Sequence, residues 1–344
     1  MDKSRLQEWK DKRAHRKRSL NHDDLFSGIR SGDLIALSGA ITLLESSKPE
    51  DQEIAKHLIT SCLPFSGNAI RVGITGVPGV GKSTFIESFG QYILAQNKKL
   101  AVLAIDPSSE KSGGSILGDK TRMQNLSQAA NTFIRPSPAG KSLGGVARKT
   151  RESIILCEAA GFDYVLIETV GVGQSETAVQ SMVDFFLLLM LAGAGDELQG
   201  IKRGIMEMAD AIVITKADGE NKLNAQKASV QYRNALHLFP ANASGWQPQV
   251  LTSSALENQN LDKIYQVIAS FENQTKINGY FKTKRQDQDR YWLHETITDF
   301  LVSNFYNNQK IKSHLTKLEQ DIKQGKTTSF AAADVLLDIY FSKK

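Results

Sequence analysis

The chain has 344 residues, 41% of them hydrophobic, which is long enough for one large α/β domain with helical additions. Its two cysteines exclude a disulfide framework. The net charge is +5, but residues 1–18 hold eight Lys or Arg against three Asp or Glu, so the rest is neutral. A neutral body argues against a broad nucleic-acid-binding face. We interpret the basic head as a solvated helix start or frayed arm, with a docking tail as the alternative.

The sequence also bears on location. The longest apolar run, residues 185–194, is too short to cross a bilayer, and no apolar segment typical of a secretory signal follows Met1. Cys62 and Cys157 are far apart and form no C-x-x-C motif, so we expect two buried thiols in a reducing compartment. We therefore expect a cytoplasmic protein without membrane association.

The first ordered segment is predicted to be helical. Apolar residues recur with helical period over residues 25–44, and Pro49 starts a second helical pattern that continues to Leu63. We assign residues 1–66 to this basic head and its helices, ahead of a core domain at residues 67–275.

A phosphate-binding motif opens the core. Residues 76–83 fit G-x-x-x-x-G-K-[ST], between a predicted strand at residues 71–75 and a predicted helix at residues 84–95. Backbone N–H groups of such a loop and of the helix N-terminus point at phosphates. Lys82 is expected at the β- and γ-phosphates and the Ser83 hydroxyl at Mg²⁺. The expected nucleotide-binding residues here are Gly76, Val77, Pro78, Gly79, Val80, Gly81, Lys82, Ser83 and Thr84.

Five further apolar runs predict strands of a mostly parallel sheet, because runs without alternation suit a sheet covered by helices on both faces. They lie at residues 99–105, 162–167, 184–191, 211–215 and 249–252. A polar cluster follows each strand, at the edge where open α/β sheets bind their ligands.

Carboxylates after two of these strands are candidate magnesium ligands. Asp106 and Asp119 flank a Gly- and hydroxyl-rich loop that can order around Mg²⁺ and the γ-phosphate, and either is a candidate to position the attacking water. Glu168 begins E-T-V-G, similar to the D-x-x-G switch, so its carboxylate would hold Mg²⁺ and the Gly171 N–H would meet the γ-phosphate. Gln174 is a weaker candidate to orient water.

A base-recognition motif follows the next strand. Thr215-Lys216-Ala217-Asp218 resembles the N-K-x-D guanine site, with Thr215 in place of Asn. Asp218 would accept hydrogen bonds from guanine, and the Lys216 stem would lie along the base. Ser254-Ala255 resembles the companion motif that meets the guanine carbonyl. The Thr215 departure predicts weaker binding of the base.

Beyond residue 261 the pattern is helical again. Helices are predicted at residues 261–274, 287–306, 311–324 and 329–341. Their amphipathic stripes have no sheet of their own to cover, so residues 276–344 are predicted to form a dimerisation segment, with simple internal packing as the alternative.

These motifs together resemble the MeaB/ArgK GTPases, the G-protein chaperones of methylmalonyl-CoA mutase that are also labelled LAO/AO transport ATPases. The segments that carry the resemblance are residues 76–83, 106–109, 113–120, 168–176 and 193–202. The resemblance implies an α/β P-loop NTPase fold of the SIMIBI type, with a mostly parallel sheet, an N-terminal helical segment and a C-terminal helical extension.

The resemblance also implies a function. It implies a homodimer that hydrolyses GTP slowly alone and faster with an adenosylcobalamin-dependent mutase, gating cofactor loading and protecting the mutase. It makes residues 193–202 a switch that senses the mutase. Within it we expect Lys202, a long flexible cation, to reach the nucleotide or the switch carboxylates, with a solvated strand end as the alternative. Two alternatives stay open: a kinase or ATPase of amino-acid transport, although no H-R-D loop is present, and a metal-delivery GTPase, although His and Cys are scattered.

Overall fold

The computed structural model describes residues 21–105, 123–136, 143–169, 175–193, 203–240 and 242–342. Contacts divide the chain into two compact units, a larger one that ends at Gln288 and a smaller one that begins at Asp289. The three-part division expected from the sequence stays a prediction.

A seven-stranded parallel sheet forms the centre of the larger unit. Its strands run β3-β2-β4-β1-β5-β6-β7 across the sheet, so β1 lies in the middle with β4 and β5 beside it. Every pairing between neighbouring strands is parallel. The strands are β1 (Ile70–Gly76), β2 (Leu100–Ile105), β3 (Thr132–Arg135), β4 (Tyr164–Thr169), β5 (Phe185–Leu191), β6 (Ala211–Thr215) and β7 (Gln249–Thr252).

Helices flank this sheet and precede it. Those of the larger unit are α1 (His22–Ser31), α2 (Leu34–Glu45), α3 (Pro49–Cys62), α4 (Lys82–Ala95), α5 (Gln124–Gln128), α6 (Leu143–Ala159), α7 (Ser175–Gln180), α8 (Arg203–Met208), α9 (Lys222–Leu236) and α10 (Leu261–Ile277). The long helix α11 (Tyr280–Asn307) begins in the larger unit and ends in the smaller one. No helix in the described ranges is long and apolar enough to cross a membrane.

The core lies on both faces of the sheet because successive side chains of a strand point to opposite faces. On β5, Leu187 and Leu189 join a cluster with α4 and α10, while Leu188 and Met190 join another with α8 and α9. This two-sided burial accounts for the near-continuous apolar runs from which the parallel sheet was predicted.

Several elements differ from the sequence predictions. Strand β3 and helices α6 and α9 were not predicted. The helical stretch at residues 25–44 is two helices, because Gly32 adopts a left-handed φ of 79° and Asp33 caps α2 through the Ile35 N–H. The helix expected from residue 287 begins at Tyr280, directly after Gly279.

A network of buried charges fastens the amino end of the sheet. The Asp184 carboxylate accepts from the Arg71 N–H at 2.8 Å and from the Arg285 guanidinium at 2.7 and 2.6 Å. Arg71 in turn donates two 2.9 Å hydrogen bonds to Glu158. Arg285 also donates to the carbonyls of Gly67 and Ala69. The start of α11 is thereby joined to the first residues of β1 and β5, and we call this network the amino-end clamp.

The smaller unit consists of the rest of α11 with α12 (Gln309–Lys323) and α13 (Ser329–Phe341). Phe305 packs against Tyr340 with 5.1 Å between ring centroids, and Ile311 and Leu336 are buried. Its larger apolar side chains are often exposed, including Phe300, Leu301, Phe330 and Phe341.

Candidate functional site

The phosphate-binding motif forms a tight loop between β1 and α4. A Cβ at Gly76 would lie 2.5 Å from the Leu189 carbonyl oxygen of β5, so only glycine allows this close approach. Gly81 has a φ of 91° and directly precedes the first residue of α4. The loop thus delivers the chain to a helix N-terminus, where unpaired N–H groups and the helix dipole favour phosphate.

Lys82 is the charged residue of this loop. Its ammonium donates hydrogen bonds to the carbonyls of Gly76 at 2.7 Å and Val77 at 3.3 Å. Partial burial lowers the pKa of Lys82 below its ordinary value, and the nearby carboxylates of Glu168 and Glu176 oppose that shift. An incoming phosphate would add negative charge beside this partly desolvated ammonium, which favours its charged form.

Magnesium-type ligands meet next to the loop. The Ser83 hydroxyl donates to a Glu168 carboxylate oxygen at 3.3 Å, which joins the first turn of α4 to the end of β4. A hydroxyl and a carboxylate are hard oxygen ligands of the kind that Mg²⁺ prefers beside phosphates. The donor set present here therefore fits a magnesium ion. Thr84, also predicted to contact nucleotide, is exposed.

Two buried threonines lie under this part of the site. The Thr169 hydroxyl donates to the Thr75 hydroxyl at 2.8 Å, and both side chains are buried. This pair joins the carboxyl ends of β4 and β1, immediately after Glu168 and immediately before Gly76. The pair was not predicted from the sequence, because only the strand order places the two residues side by side.

The T-K-A-D segment contacts the phosphate loop directly. The buried Thr215 hydroxyl lies 2.8 Å from the Val80 carbonyl and 3.2 Å from the Met190 carbonyl. Lys216 has a φ of 53°, and Asn221 donates to its carbonyl at 2.7 Å. The Lys216 side chain passes beside the loop, since its Cε lies 4.0 Å from where a Cβ at Gly81 would stand.

The two base-recognition motifs also meet. The buried Ser254 hydroxyl donates to the Asp218 carboxylate at 2.5 Å, and it accepts from the Glu257 N–H at 3.1 Å. Ser88 of α4 donates to the Ala255 carbonyl at 2.8 Å. Ser254 thus holds the Asp218 carboxylate in place. The loop that contains Ser254 and Ala255 is in turn joined to α4, the helix that follows the phosphate loop.

The described part of the predicted site is therefore one assembly at the carboxyl end of the sheet. Asp106, Asp119, Gly171 and Lys202 lie outside the described residues, as does Gln174. Their roles stay predictions, and so do the individual roles of the described site residues.

Comparison with known proteins decides the family. Residues 37–310 match the family model described as "Methylmalonyl Co-A mutase-associated GTPase MeaB". This chain belongs to the MeaB family. The resemblance to the MeaB/ArgK GTPases found in the motifs is thereby confirmed, and so is the expected GTP hydrolase activity.

Two relatives are similar to this chain over most of its length. GTPase ArgK of Escherichia coli K12 is 47% identical over 281 residues, which cover 82% of this chain and 85% of that protein. The Mus musculus protein named "Methylmalonic aciduria type A homolog, mitochondrial" is 42% identical over 331 residues, covering 93% of this chain and 80% of the relative.

A solved structure confirms the fold. The crystal structure of a protein described as "LAO/AO transport system kinase" is 36% identical, has a TM-score of 0.74, and aligns over 93% of this chain and 97% of that one. The predicted P-loop NTPase architecture, a parallel sheet flanked by helices, is correct. As a MeaB-family GTPase the protein binds guanine nucleotide.

Proposed function

We propose that this GTPase is the chaperone of an adenosylcobalamin-dependent acyl-CoA mutase of the methylmalonyl-CoA mutase type. In this proposal GTP binding and hydrolysis gate the loading of adenosylcobalamin and protect the mutase from inactivation. The observation that carries the proposal is the family match over residues 37–310, because that family is described by its association with this mutase. A cytoplasmic location stays a prediction.

Magnesium is part of the proposal. Ser83 would bind the ion and Glu168 would hold it through water, and the 3.3 Å contact between these side chains supports the assignment. Asp106 and Asp119 would complete the metal surroundings, and one of them would position the attacking water. When bound, Mg²⁺ would neutralise charge on the β- and γ-phosphates.

The remaining groups would act on the nucleotide and the partner. The ammonium of Lys82 would exchange its bonds to the carbonyls of Gly76 and Val77 for bonds to phosphate oxygens. The Gly171 N–H would meet the γ-phosphate. Asp218, supported by Ser254, would accept hydrogen bonds from guanine, which adenine cannot donate. Residues 193–202 would sense the mutase through Lys202.

A homodimer formed through the C-terminal helices is proposed as well. The exposed apolar side chains of the smaller unit, among them Phe300, Leu301 and Phe341, support it, since exposed apolar patches mark interaction sites. Truncation before Asp287 should give a monomer or insoluble protein in light scattering. A soluble dimer of the truncated chain would place the interface elsewhere.

A kinase or ATPase serving lysine, arginine and ornithine transport is the second candidate, and it rests on the similar solved structure, which is described as a transport system kinase. A direct test separates the two. The purified protein is mixed with a methylmalonyl-CoA mutase and either GDP or a non-hydrolysable GTP analogue, and the complex is sized by light scattering. The chaperone proposal predicts a complex whose adenosylcobalamin uptake, followed by absorbance, depends on the nucleotide.

Absence of any complex in both nucleotide states would reject the chaperone proposal. The Asp218→Asn variant serves as the control, because it should bind guanine nucleotide weakly and lose the nucleotide dependence without losing the fold.

A further inference from the structure

The residue that departs from the guanine motif contacts the phosphate loop. From the sequence, Thr215 stood out only for the amide contact that it lacks at the base. In the structure its side chain is buried, and its hydroxyl faces the carbonyls of Val80 and Met190 at 2.8 and 3.2 Å. Val80 belongs to the loop that precedes Lys82, and Met190 belongs to β5.

The chemistry of this contact is specific. A hydroxyl carries a single proton, so it can donate to one of the two carbonyls at a time, and the shorter distance favours Val80. Val80 is itself fully buried. A buried carbonyl that loses its donor bears the full desolvation cost of the group, unless the loop moves to find another partner.

The neighbouring residue strengthens the same connection. Lys216 follows in a left-handed backbone conformation, φ 53°, with its carbonyl held by Asn221 at 2.7 Å. Its side chain passes within van der Waals distance of a Cβ placed at Gly81. Thr215 therefore contacts the phosphate loop at Val80, and the side chain of the next residue, Lys216, passes beside Gly81.

We propose that Thr215 is a positioning residue of the nucleotide site, whose hydroxyl fixes the phosphate loop through the Val80 carbonyl. In this role Thr215 contributes to nucleotide affinity through the phosphate loop. Its contribution is the same whichever base the nucleotide carries. Base selection remains with Asp218, whose carboxylate is held by Ser254.

The proposal is tested with three variants of the full chain. Thr215→Val removes the hydroxyl and keeps the shape, and Thr215→Ser keeps the hydroxyl. Thr275→Val is the matched control, because the Thr275 hydroxyl is also buried and also faces two carbonyls, at 2.7 and 3.3 Å, within its own helix α10. Affinities for GDP and for inosine diphosphate, which lacks the guanine 2-amino group, are measured by calorimetry.

We expect Thr215→Val to weaken the binding of both nucleotides by about tenfold, the equivalent of about 1.4 kcal/mol. The ratio of the two affinities should stay unchanged. Thr215→Ser and Thr275→Val should bind GDP like the wild type. Thermal unfolding without nucleotide checks the fold of each variant, and Thr215→Ala replaces the Val variant if that one does not fold.

Three results would overturn the proposal. Unchanged GDP affinity in Thr215→Val would show that the hydroxyl does not position the loop. An equal loss in Thr215→Ser would show that the hydroxyl is not the responsible group. A changed ratio between GDP and inosine diphosphate would show that Thr215 acts on the base.

Discussion

The two ends of the parallel sheet use polar side chains in different ways. At the carboxyl end, Lys82 and Thr215 bond to loop carbonyls, and Ser83 meets Glu168 at 3.3 Å. At the amino end, the clamp pairs the largely buried Arg285 guanidinium with the buried Asp184 carboxylate through short, direct hydrogen bonds.

We infer from this difference that side chains at the carboxyl end serve ligand binding and that those at the amino end serve stability. At the carboxyl end, Lys82, Ser83 and Glu168 can exchange their present partners for phosphate and metal, while Thr215 keeps its bond to the loop. Removal of these groups should therefore affect nucleotide binding more than the fold. Groups of the clamp have fixed charged partners, and removing one leaves an uncompensated charge in a buried place. Substitutions at the two ends should therefore give opposite patterns of activity and stability.

The largest effect on GTP hydrolysis is expected at Lys82. Lys82→Ala should abolish GTP hydrolysis, because loss of one preorganised donor to developing charge costs about 3–4 kcal/mol. Turnover under Mg²⁺ and saturating GTP measures this, with Lys276→Ala as the control, since Lys276 pairs with Glu272 on an exposed part of α10. Steady turnover in Lys82→Ala would show that the phosphate loop is not the active site.

The clamp should show the opposite behaviour. Asp184→Asn should lower the free energy of unfolding by about 3–5 kcal/mol in urea, since the Arg285 guanidinium and the Arg71 N–H lose a buried charged acceptor. Glu272→Gln, which removes a partly exposed pair with Lys276, should cost about 0.5 kcal/mol or less. GDP affinity of the folded Asp184→Asn variant should stay within about twofold of the wild type.

The same carboxylate predicts a pH dependence. Burial alone would raise the pKa of Asp184, but the hydrogen bond and charge of Arg285, with the charge of Arg71, hold that pKa below its ordinary value. Its stabilisation is therefore fully present above the ordinary pKa of about 3.9 and is lost as pH falls through the lower folded pKa. The stability difference between wild type and Asp184→Asn should be constant above about pH 5 and should shrink below about pH 4. A difference that grows on acidification would contradict the clamp.

The smallest effect concerns the base. The wild type should bind GDP at least about tenfold more tightly than ADP, and Asp218→Asn should remove that preference, about 1.4 kcal/mol, with an intact fold. Isothermal titration measures all four affinities, and Asp163→Asn, whose carboxylate pairs with Lys98, is the control. Equal wild-type affinities for GDP and ADP would reject guanine selection by Asp218.

Most of the candidate site at the carboxyl end of the sheet could be predicted from local sequence patterns. The phosphate loop and T-K-A-D each occupy a few consecutive residues, and the apolar runs before them mark their strands. Strands β3 and β7 both have four residues, but only β7 is followed by a recognisable motif, Ser254-Ala255, so only β7 was predicted. The amino-end clamp was not predicted because its partners are up to 218 residues apart, as for Arg285 and Gly67. Local periodicity in the sequence does not indicate such long-range pairing.

The start of α11 illustrates the same limit. Its first turns carry mostly polar residues, so the amphipathic pattern indicated a helix only from residue 287. In the structure Lys284 and Arg285 lie in those turns, and their partners are the Asp184 carbonyl and carboxylate. These polar residues interrupt the amphipathic pattern, so the helix start was not predicted. The same residues join the start of α11 to the sheet.

The central claim, a GTPase that serves an adenosylcobalamin-dependent mutase, is tested most directly by GTP turnover with and without purified methylmalonyl-CoA mutase. We expect the mutase to increase the wild-type rate, and Lys202→Ala to lose most of that increase. If a saturating amount of mutase leaves the wild-type rate unchanged, the chaperone function is contradicted and a guanine-nucleotide hydrolase without this partner remains.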